Sequence, residues 1–287
     1  MWRDSKLKGD PNYFNHLSSG HKPSYMWIGC ADARVPANEI MGEDAGSVFV
    51  VRNVANQVIG SDFKVMSALL YAVGVLEVPH IIVCGHYDCG GIRASMVNRD
   101  HSPPLENWLR NIRDVYRLHR KELDAISDLE RRHRRLVELN VVEQCINLYK
   151  TGAIQKKRVE TFRDKGHDLT QPRIHAVVFD PATGLLNQLK VDFRAYIEEL
   201  HEIYDLYALE HYETEQKRND AKLELEMEEG KIFDKMRIMG SPENMDPGGG
   251  LLLKDKTATE KVGSTDNTTR NKKSTPPLEI NVEFCGS

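Results

Sequence analysis

Two apolar runs, Tyr25-Met-Trp-Ile-Gly29 and Ile81-Ile-Val-Cys-Gly85, decide the predicted fold of this chain. Each run is short, ends in glycine and leads directly into polar residues, which is typical of a buried strand that ends at the edge of a sheet. Ser47 to Arg52 are predicted to form another strand, and helical periodicity follows from Phe63 to Val75. Because strands that alternate with helices favour parallel pairing, the sequence predicts an α/β fold with a mostly parallel β-sheet flanked by helices.

The second half of the chain extends this pattern. Residues 104 to 165 are predicted to be helical because apolar residues recur at helical spacing. A hairpin is predicted where strands at 173–179 and 185–191 flank turn residues at 180–184. The basic run Arg131 to Arg135 is interpreted as a solvated helix face, in preference to a phosphate or nucleic-acid patch, because acidic residues are interleaved with it.

Composition narrows the class of protein. With 287 residues, 40% of them hydrophobic, the chain is long enough to bury a substantial core. With a net charge of -4, the chain has no overall excess of positive charge that would favour binding to nucleic acid or to an anionic membrane. Every apolar run is shorter than a membrane span. The five cysteines are an odd number, and the first residues lack the apolar segment of a signal peptide. We therefore expect a cytoplasmic protein without disulfides, and an organellar location stays open.

Cysteine and histidine follow the two apolar runs at the predicted strand ends. The first run leads into Cys30-Ala-Asp-Ala-Arg34, and the second leads into His86-Tyr-Asp-Cys89. If the two strands are parallel neighbours, Cys30, His86 and Cys89 converge at one edge of the sheet. Two thiolates and an imidazole suit Zn²⁺, whose catalytic sites take three protein ligands and leave one position for water. The remaining cysteines fit less well: Cys84 lies inside an apolar run, Cys145 is mid-helix and Cys285 is close to the end of the sequence.

Asp32 and Arg34 make the zinc interpretation more specific. They stand at alternate positions after Cys30, where a carboxylate and a guanidinium can pair through two hydrogen bonds. Asp32 either fills the fourth position on zinc or accepts a hydrogen bond from zinc-bound water. Gly90-Gly91 is predicted to begin a helix, whose N-terminus favours the thiolate form of Cys89. Since two thiolates neutralise the metal charge, activity is expected to rise on the alkaline side of neutrality.

Taken together, these residues resemble the β-class carbonic anhydrases, whose motifs are Cys-x-Asp-x-Arg and His-x-x-Cys. The likeness extends over roughly residues 15 to 200 and includes Arg52-Asn-Val-Ala-Asn56 and Tyr71-Ala-Val73. It implies Zn²⁺ held by Cys30, His86 and Cys89, with Asp32 and Arg34 as a catalytic dyad. The implied reaction is reversible hydration of carbon dioxide to bicarbonate and a proton by zinc-bound hydroxide, in a homodimer or homotetramer.

The resemblance also implies a substrate pocket. Phe49, Val54 and Tyr71 match its apolar lining, part of which comes from a neighbouring subunit, although the residues alone favour core positions. Gly90 and His21 are further substrate-binding candidates. His21 stands where the family commonly has a glutamine that donates to substrate, and Ala33 replaces a frequent serine. Both departures leave the rate and the pH optimum open.

A bicarbonate regulatory pocket occurs in one subclass of the family. Trp27 and Arg52 match two of its marker residues, but Phe179 stands where the subclass has a tyrosine. Regulation by bicarbonate is therefore a hypothesis only. Unchanged kinetics at high bicarbonate would contradict it.

In this reading, residues 1–205 form a carbonic anhydrase-like catalytic domain, residues 206–239 an acidic helical extension and residues 240–287 a disordered polar tail. Three other functions are weighed against hydration of carbon dioxide. The first is hydrolysis of carbon disulfide or carbonyl sulfide through the same ligands. The second is a non-catalytic scaffold stabilised by zinc, and the third is a redox protein using Cys84 and Cys89, which the intervening His86 disfavours.

Overall fold

The structure is a computed structural model that describes residues 1–165 and 171–207 of the chain. The predicted disordered tail, and the predicted acidic extension beyond residue 207, lie outside the described residues. The described elements follow one another in this order: α1 (Trp2–Gly9), α2 (Tyr13–Ser18), β1 (Tyr25–Cys30), α3 (Ala37–Met41), β2 (Val48–Asn53), a 3₁₀ turn (Val54–Asn56), α4 (Phe63–Gly74), β3 (His80–His86), α5 (Gly90–Ser95), α6 (Leu105–Leu118), α7 (Arg120–Asp124), α8 (Leu129–Tyr149), α9 (Gly152–Lys165), β4 (Arg173–Asp180), β5 (Leu185–Gln188) and α10 (Phe193–Tyr204).

The five described strands form one sheet in the order β2-β1-β3-β4-β5. β1 pairs in parallel with both β2 and β3, β3 pairs in parallel with β4, and β5 returns antiparallel to β4. The predicted α/β class and hairpin are therefore confirmed. β1 and β3 are parallel neighbours with Gly29 opposite Cys84, so both metal-ligand motifs leave the sheet at its carboxyl edge.

Helices cover both faces of the sheet, which explains why its central strands consist mainly of consecutive apolar residues. Along β1, Ile28 and Cys30 belong to the core cluster that includes residues of α4, α6 and α8. Trp27 lies on the opposite face, in a smaller cluster with Met41 of α3. Because successive side chains of a strand alternate between faces, Cys30 is directed to the α8 side and Trp27 away from it.

The structure corrects the predicted boundaries. The region from 104 to 165 is divided into four helices, and Asp128 begins α8 by accepting a hydrogen bond from the backbone N–H of Arg131. The return strand of the hairpin ends at Gln188 rather than at residue 191. The sequence analysis did not predict α3, because five residues are too few for a helical period to be recognised. None of the described helices is long and apolar enough to cross a membrane.

The interpretation of Arg131 to Arg135 as a solvated face is wrong for part of the run. His133 is buried, and Arg132 donates to the backbone carbonyl of Ile126. The guanidinium of Arg134 lies 3.5 Å from the ring centroid of Tyr87 and donates to Asp180. Arg131 and Arg134 are exposed as predicted, whereas His133 is buried against the segment of Cys89, which the charge pattern alone does not reveal.

Candidate metal centre and active site

The three candidate ligands meet at the carboxyl edge of the sheet. Cys30 is the last residue of β1, His86 is the last residue of β3, and Cys89 directly precedes α5. Their ligand atoms all lie within 4.8 Å of one another, and the two sulfurs are 3.9 Å apart. All three side chains are buried, with exposures of 5%, 0% and 1%. The predicted convergence of the two motifs therefore occurs in the fold.

His86 shows that this cluster fits a metal ion. Its Nδ1 donates to the backbone carbonyl of Tyr87 at 2.9 Å, so that Nε2 is the nitrogen without a proton in the neutral ring. His86 Nε2 is buried and has no hydrogen-bond partner in the described part of the chain. A buried polar atom without a hydrogen-bond partner lowers the stability of the folded protein, whereas a nitrogen that binds a metal ion has the ion as its partner. Two thiols and this nitrogen form a soft donor set of the type that binds zinc.

The two thiols differ in how readily they ionise. The Cys89 thiol donates to Cys30, which lowers the pKa of Cys30, and the His86 ring and the backbone N–H of Ala55 act in the same direction. Hydrogen bonding to the Cys30 thiolate and burial raise the pKa of Cys89. Cys30 is therefore the first of the pair to become a thiolate, and the pKa of the Cys89 thiol lies above its usual value.

The other described cysteines are separate from this pair. Cys84 belongs to the core cluster on the far face of the sheet, whereas Cys89 belongs to the cluster on the α8 side. Burial raises the pKa of both Cys84 and Cys145. Since a thiolate is needed for thiol exchange and these thiols stay protonated, a redox pair of Cys84 and Cys89 is not supported.

Asp32 and Arg34 form the pair that the motif predicts. Arg34 donates from Nε to Asp32 Oδ1 at 2.9 Å and from Nη2 to Oδ2 at 2.7 Å. These hydrogen bonds hold the pKa of Asp32 well below its usual range, so the carboxylate is ionised at neutral pH. Asp32 Oδ2 lies 3.8 Å from His86 Nε2. An acceptor-only carboxylate thus stands beside the ligand cluster in a fixed orientation.

Asp88 is a site residue that the sequence analysis missed. Its carboxylate accepts from Arg34 Nη1 at 3.1 Å and from Arg93 Nη2 at 3.0 Å, and its backbone is left-handed with φ of 57°. It holds the side of the Arg34 guanidinium that Asp32 does not contact. Its position inside the His-x-x-Cys motif was a usable signal, but its pairing with Arg34 depends on how the two loops meet.

The residues predicted to bind substrate lie in different parts of the fold and differ in their exposure. The rings of Phe49 and Tyr71 lie 5.9 Å apart, where α4 packs on β2. Val54 and Tyr71 are 38% and 46% exposed, so they are not fully buried core residues in this chain. Gly90 is the first residue of α5. His21 is exposed in the segment that precedes β1.

The candidate regulatory residues lie beside the first motif. Trp27 is fully buried, and its Nε1 has no hydrogen-bond partner in the described part of the chain. Phe179 lies in the same apolar cluster as Trp27. Arg52 donates to the backbone carbonyls of Cys30, at 2.8 Å, and of Asp32. Arg52 therefore supports the backbone of the ligand loop.

Fold and site together define a class: an α/β protein with a candidate metal site of two thiols and an imidazole at the carboxyl edge of a mostly parallel sheet. The carbonic anhydrase family model matches residues 25–186 of this chain. A carbonic anhydrase of Emericella nidulans is 50% identical over 205 residues, which are 71% of this chain and 86% of that protein. A carbonic anhydrase of Candida albicans is 30% identical over 204 residues, covering 69% and 67% of the two chains.

Solved structures agree with the sequence matches. The chain resembles a structure of the tetrameric β-carbonic anhydrases of Sordaria macrospora with a TM-score of 0.60 and 34% identity, over 66% of this chain and 92% of that one. It resembles the β-carbonic anhydrase CafA of Aspergillus fumigatus with a TM-score of 0.63 and 28% identity, over 71% and 93%. The chain belongs to the β-class carbonic anhydrases, a family of enzymes whose general reaction is the hydration of carbon dioxide.

Proposed function

We propose that this chain hydrates carbon dioxide reversibly with Zn²⁺ held by Cys30, His86 and Cys89, and with Asp32 and Arg34 as the dyad that directs the nucleophile. The observation that carries the proposal is the buried Nε2 of His86, which has no hydrogen-bond partner among residues 1–165 and 171–207 and faces two thiols beside an ionised carboxylate. When bound, zinc supplies the Lewis acidity that makes a nucleophile of water near neutral pH.

Asp32 orients that nucleophile. Its carboxylate has acceptor atoms only, so it takes a hydrogen bond from the attacking water and leaves an oxygen lone pair directed at carbon dioxide. Arg34 keeps the carboxylate ionised and fixes its plane through two hydrogen bonds. Water and carbon dioxide become bicarbonate and a proton. The Asp32 side chain is 21% exposed, which gives that proton a route to solvent buffer.

The substrate pocket is proposed to be formed in part by Phe49, Val54 and Tyr71. Carbon dioxide has no net dipole, and the exposed apolar side chains of Val54, which follows β2, and of Tyr71 on α4 suit it better than they suit water. We propose that Gly90 lets substrate approach the start of α5 closely and that His21 donates a hydrogen bond to it. Replacing His21 with glutamine tests the latter through KM.

A second copy of the chain is proposed to cover the surface beside this pocket. β2 is an edge strand among the described residues, and Val50 on it is 39% exposed. On α4 next to it, Phe63 is 88% and Leu70 is 61% exposed. An apolar edge strand beside an apolar helix face favours association. The Sordaria relatives are tetrameric, and we propose a homodimer or homotetramer here.

Three further proposals concern the setting of the site. Residues 1–205 are proposed to be the catalytic domain. The described cysteines, which form no disulfides, support a reducing compartment such as the cytoplasm. A bicarbonate site at Trp27 and Arg52 remains a hypothesis because Phe179 lacks a hydroxyl. Kinetics that do not change at high bicarbonate would contradict it.

Stopped-flow hydration of carbon dioxide, with zinc content measured on the same samples, tests the proposal. Asp32→Asn is expected to retain zinc and to lose about 100-fold or more in kcat, because the carboxylate no longer orients the nucleophile. Asp62→Asn is the matched control, since Asp62 is an N-cap residue of α4 and accepts only from backbone N–H groups there. Its activity should equal that of the wild type.

The same assay separates the rival functions. A wild-type protein that holds zinc but does not hydrate carbon dioxide would favour the scaffold. Carbonyl sulfide and carbon disulfide are offered side by side with carbon dioxide. Faster turnover of either sulfur compound would favour the related hydrolase.

A further inference from the structure

The turn at Val54–Asn56 combines a strained backbone with a contact to a metal ligand. Ala55 and Asn56 both have left-handed backbones, with φ of 61° and 48°. Such conformations persist in residues other than glycine only when the surroundings enforce them. The backbone N–H of Ala55 lies 3.4 Å from Cys30 Sγ and donates to it. The strained turn therefore delivers a hydrogen bond to one of the candidate ligands.

Buried amides of α8 hold this turn. Asn140 is fully buried and donates from Nδ2 to the backbone carbonyl of Ala55 at 3.0 Å. Its Oδ1 accepts from the side-chain amides of Gln57 and Gln144, each at 3.2 Å. Gln144 in turn accepts from the backbone N–H of Val58 at 2.7 Å. Asn140 is thus the member of this network that contacts the same residue that donates to Cys30.

Close packing leaves the turn little room to move. A Cβ atom on Gly91 would lie 2.7 Å from Val54 and 3.3 Å from the Cβ of Ala55. The start of α5 therefore packs closely against one side of the turn, and Asn140 of α8 is hydrogen-bonded to it. A displacement of Asn140 cannot be absorbed without moving the N–H of Ala55 relative to the sulfur.

A second residue of α8, His133, also contacts a segment that carries a candidate metal ligand. His133, two turns before Asn140, lies with Nε2 3.2 Å from the backbone carbonyl of Cys89 and donates to it. The segments of both candidate thiolate ligands thus bond to one helix. This helix is a rigid element against which the ligand positions are set.

We propose that Asn140 is a positioning residue for the metal site: it holds Ala55 so that the backbone N–H donates to the Cys30 thiolate. This N–H···S bond withdraws electron density from sulfur and fixes the direction of its lone pairs. Both effects set how strongly Cys30 binds the ion. The inference rests on the proposed metal site and adds to it a residue 85 positions from Ala55 in the sequence.

Full-length Asn140→Leu is compared with the wild type by zinc affinity in chelator competition and by the spectrum of the Co²⁺-substituted protein. Leucine has nearly the same shape but no donor. We expect zinc binding to weaken about 10- to 100-fold, as for other groups that orient metal ligands. The thiolate-to-Co²⁺ charge-transfer band should move to longer wavelength, because sulfur regains electron density.

Asn147→Leu is the matched control. Asn147 is also on α8 and donates to the same segment, at the backbone carbonyl of Val58 rather than Ala55. It should lose stability but keep wild-type zinc affinity and the wild-type band. Equal affinity and equal spectra in the Asn140 and Asn147 variants would overturn the inference.

Two further outcomes are separated by the design. If Asn140→Leu does not fold, Asn140→Ser, whose shorter side chain buries less and does not span to Ala55, must show the same shift. Wild-type affinity and band in Asn140→Ser would also overturn the inference. A wild-type protein that binds no metal through Cys30 would instead contradict the proposed function.

Discussion

Strand β3 begins with one histidine and ends with another, and the two ends treat the imidazole differently. At the amino end, His80 Nδ1 lies 3.0 Å from Nε2 of His175 on β4, and the ring of Tyr25 lies 5.9 Å from that of His80. At the carboxyl end, His86 Nε2 has no hydrogen-bond partner among the described residues, although two thiols lie within 4.8 Å. The half-buried His80 is paired within the protein, and the buried His86 is left for a ligand.

Burial alone does not distinguish a structural histidine from a functional one. Burial is shared by both ends, and it lowers the pKa of His80 to about 4 and that of His175 to about 3. What differs is whether several other side chains that can bind a metal ion lie close to the histidine. Loops that leave the carboxyl edge of a parallel sheet bring Cys89 and Asp32 to His86, whereas His80 belongs to no group of three possible metal ligands among the described residues.

The largest expected effect comes from exchanging the same residue at the two ends. His86→Gln should lose bound zinc and at least about 100-fold in activity, because the amide is a poor zinc ligand and even groups that only orient ligands cost up to that much. His80→Gln should retain zinc and activity. Metal content and stopped-flow rates measure both, and zinc loss in His80→Gln would break the contrast between the ends.

The carboxyl end should also control the pH dependence of activity. In the proposed site, two thiolates would neutralise the formal charge of zinc, so water would be acidified less than at a three-histidine site, where the pKa is about 7. Activity should therefore rise about tenfold per pH unit until that higher pKa is reached. A flat or falling profile from neutral to mildly alkaline pH would contradict this. The His80→Gln profile should be superimposable on that of the wild type.

The amino end should control part of the acid stability. The pKa values of His80 and His175 are lowered on folding from an ordinary 6.5, so both rings are neutral in the folded protein and take up protons on unfolding. Stability is therefore complete above pH 6.5 and falls as the pH drops towards 4, by about 1 to 2 kcal/mol per ring at pH 5.

Denaturant unfolding between pH 7.5 and 4.5 measures this loss. The difference between wild type and His80→Gln isolates the contribution of His80 from other acid effects, including loss of metal. The difference should shrink as the pH falls. A difference that is constant with pH would mean that His80 does not carry the acid sensitivity.

The smallest expected effect concerns Asp88 at the edge of the metal site. Asp88→Asn removes one charged partner of Arg34 but leaves both hydrogen bonds from Arg34 to the Asp32 side chain. Because the Asp88 side chain is 60% exposed, its ion pair is weak, and kcat should fall only about two- to fivefold with zinc unchanged. Asp114→Asn, which breaks an exposed pair with Arg117, is the control. A loss as large as that of Asp32→Asn would place Asp88 in the dyad itself.

Much of the site could be predicted because its signals are local. Cys30 and His86 each stand at the end of an apolar run, and Asp32 and Arg34 stand within four residues of Cys30. The resemblance to the β-class enzymes rested on the same short strings and is confirmed by the comparisons. The assignments of His21, Phe49, Val54, Tyr71 and Gly90 to substrate stay predictions.

Other features could not be predicted because they join distant segments. Asp88 contacts Arg34 across 54 positions, and Asn140 contacts Ala55 across 85. Neither side chain differs in type from ordinary polar residues of a loop or helix. The basic run on α8 was misread for the same reason, since its charge pattern does not state which neighbour covers His133.

The candidate metal ligands and the carboxylate beside them could be read from the sequence alone, because motif residues a few positions apart at a strand end are placed by local backbone geometry. The folded chain was needed to see that β1 and β3 are neighbours, that His86 Nε2 has no hydrogen-bond partner in the described part of the protein, and that α8 supports the Ala55 turn. Strand order and helix packing depend on burying apolar surface contributed by the whole chain, and no short motif encodes that.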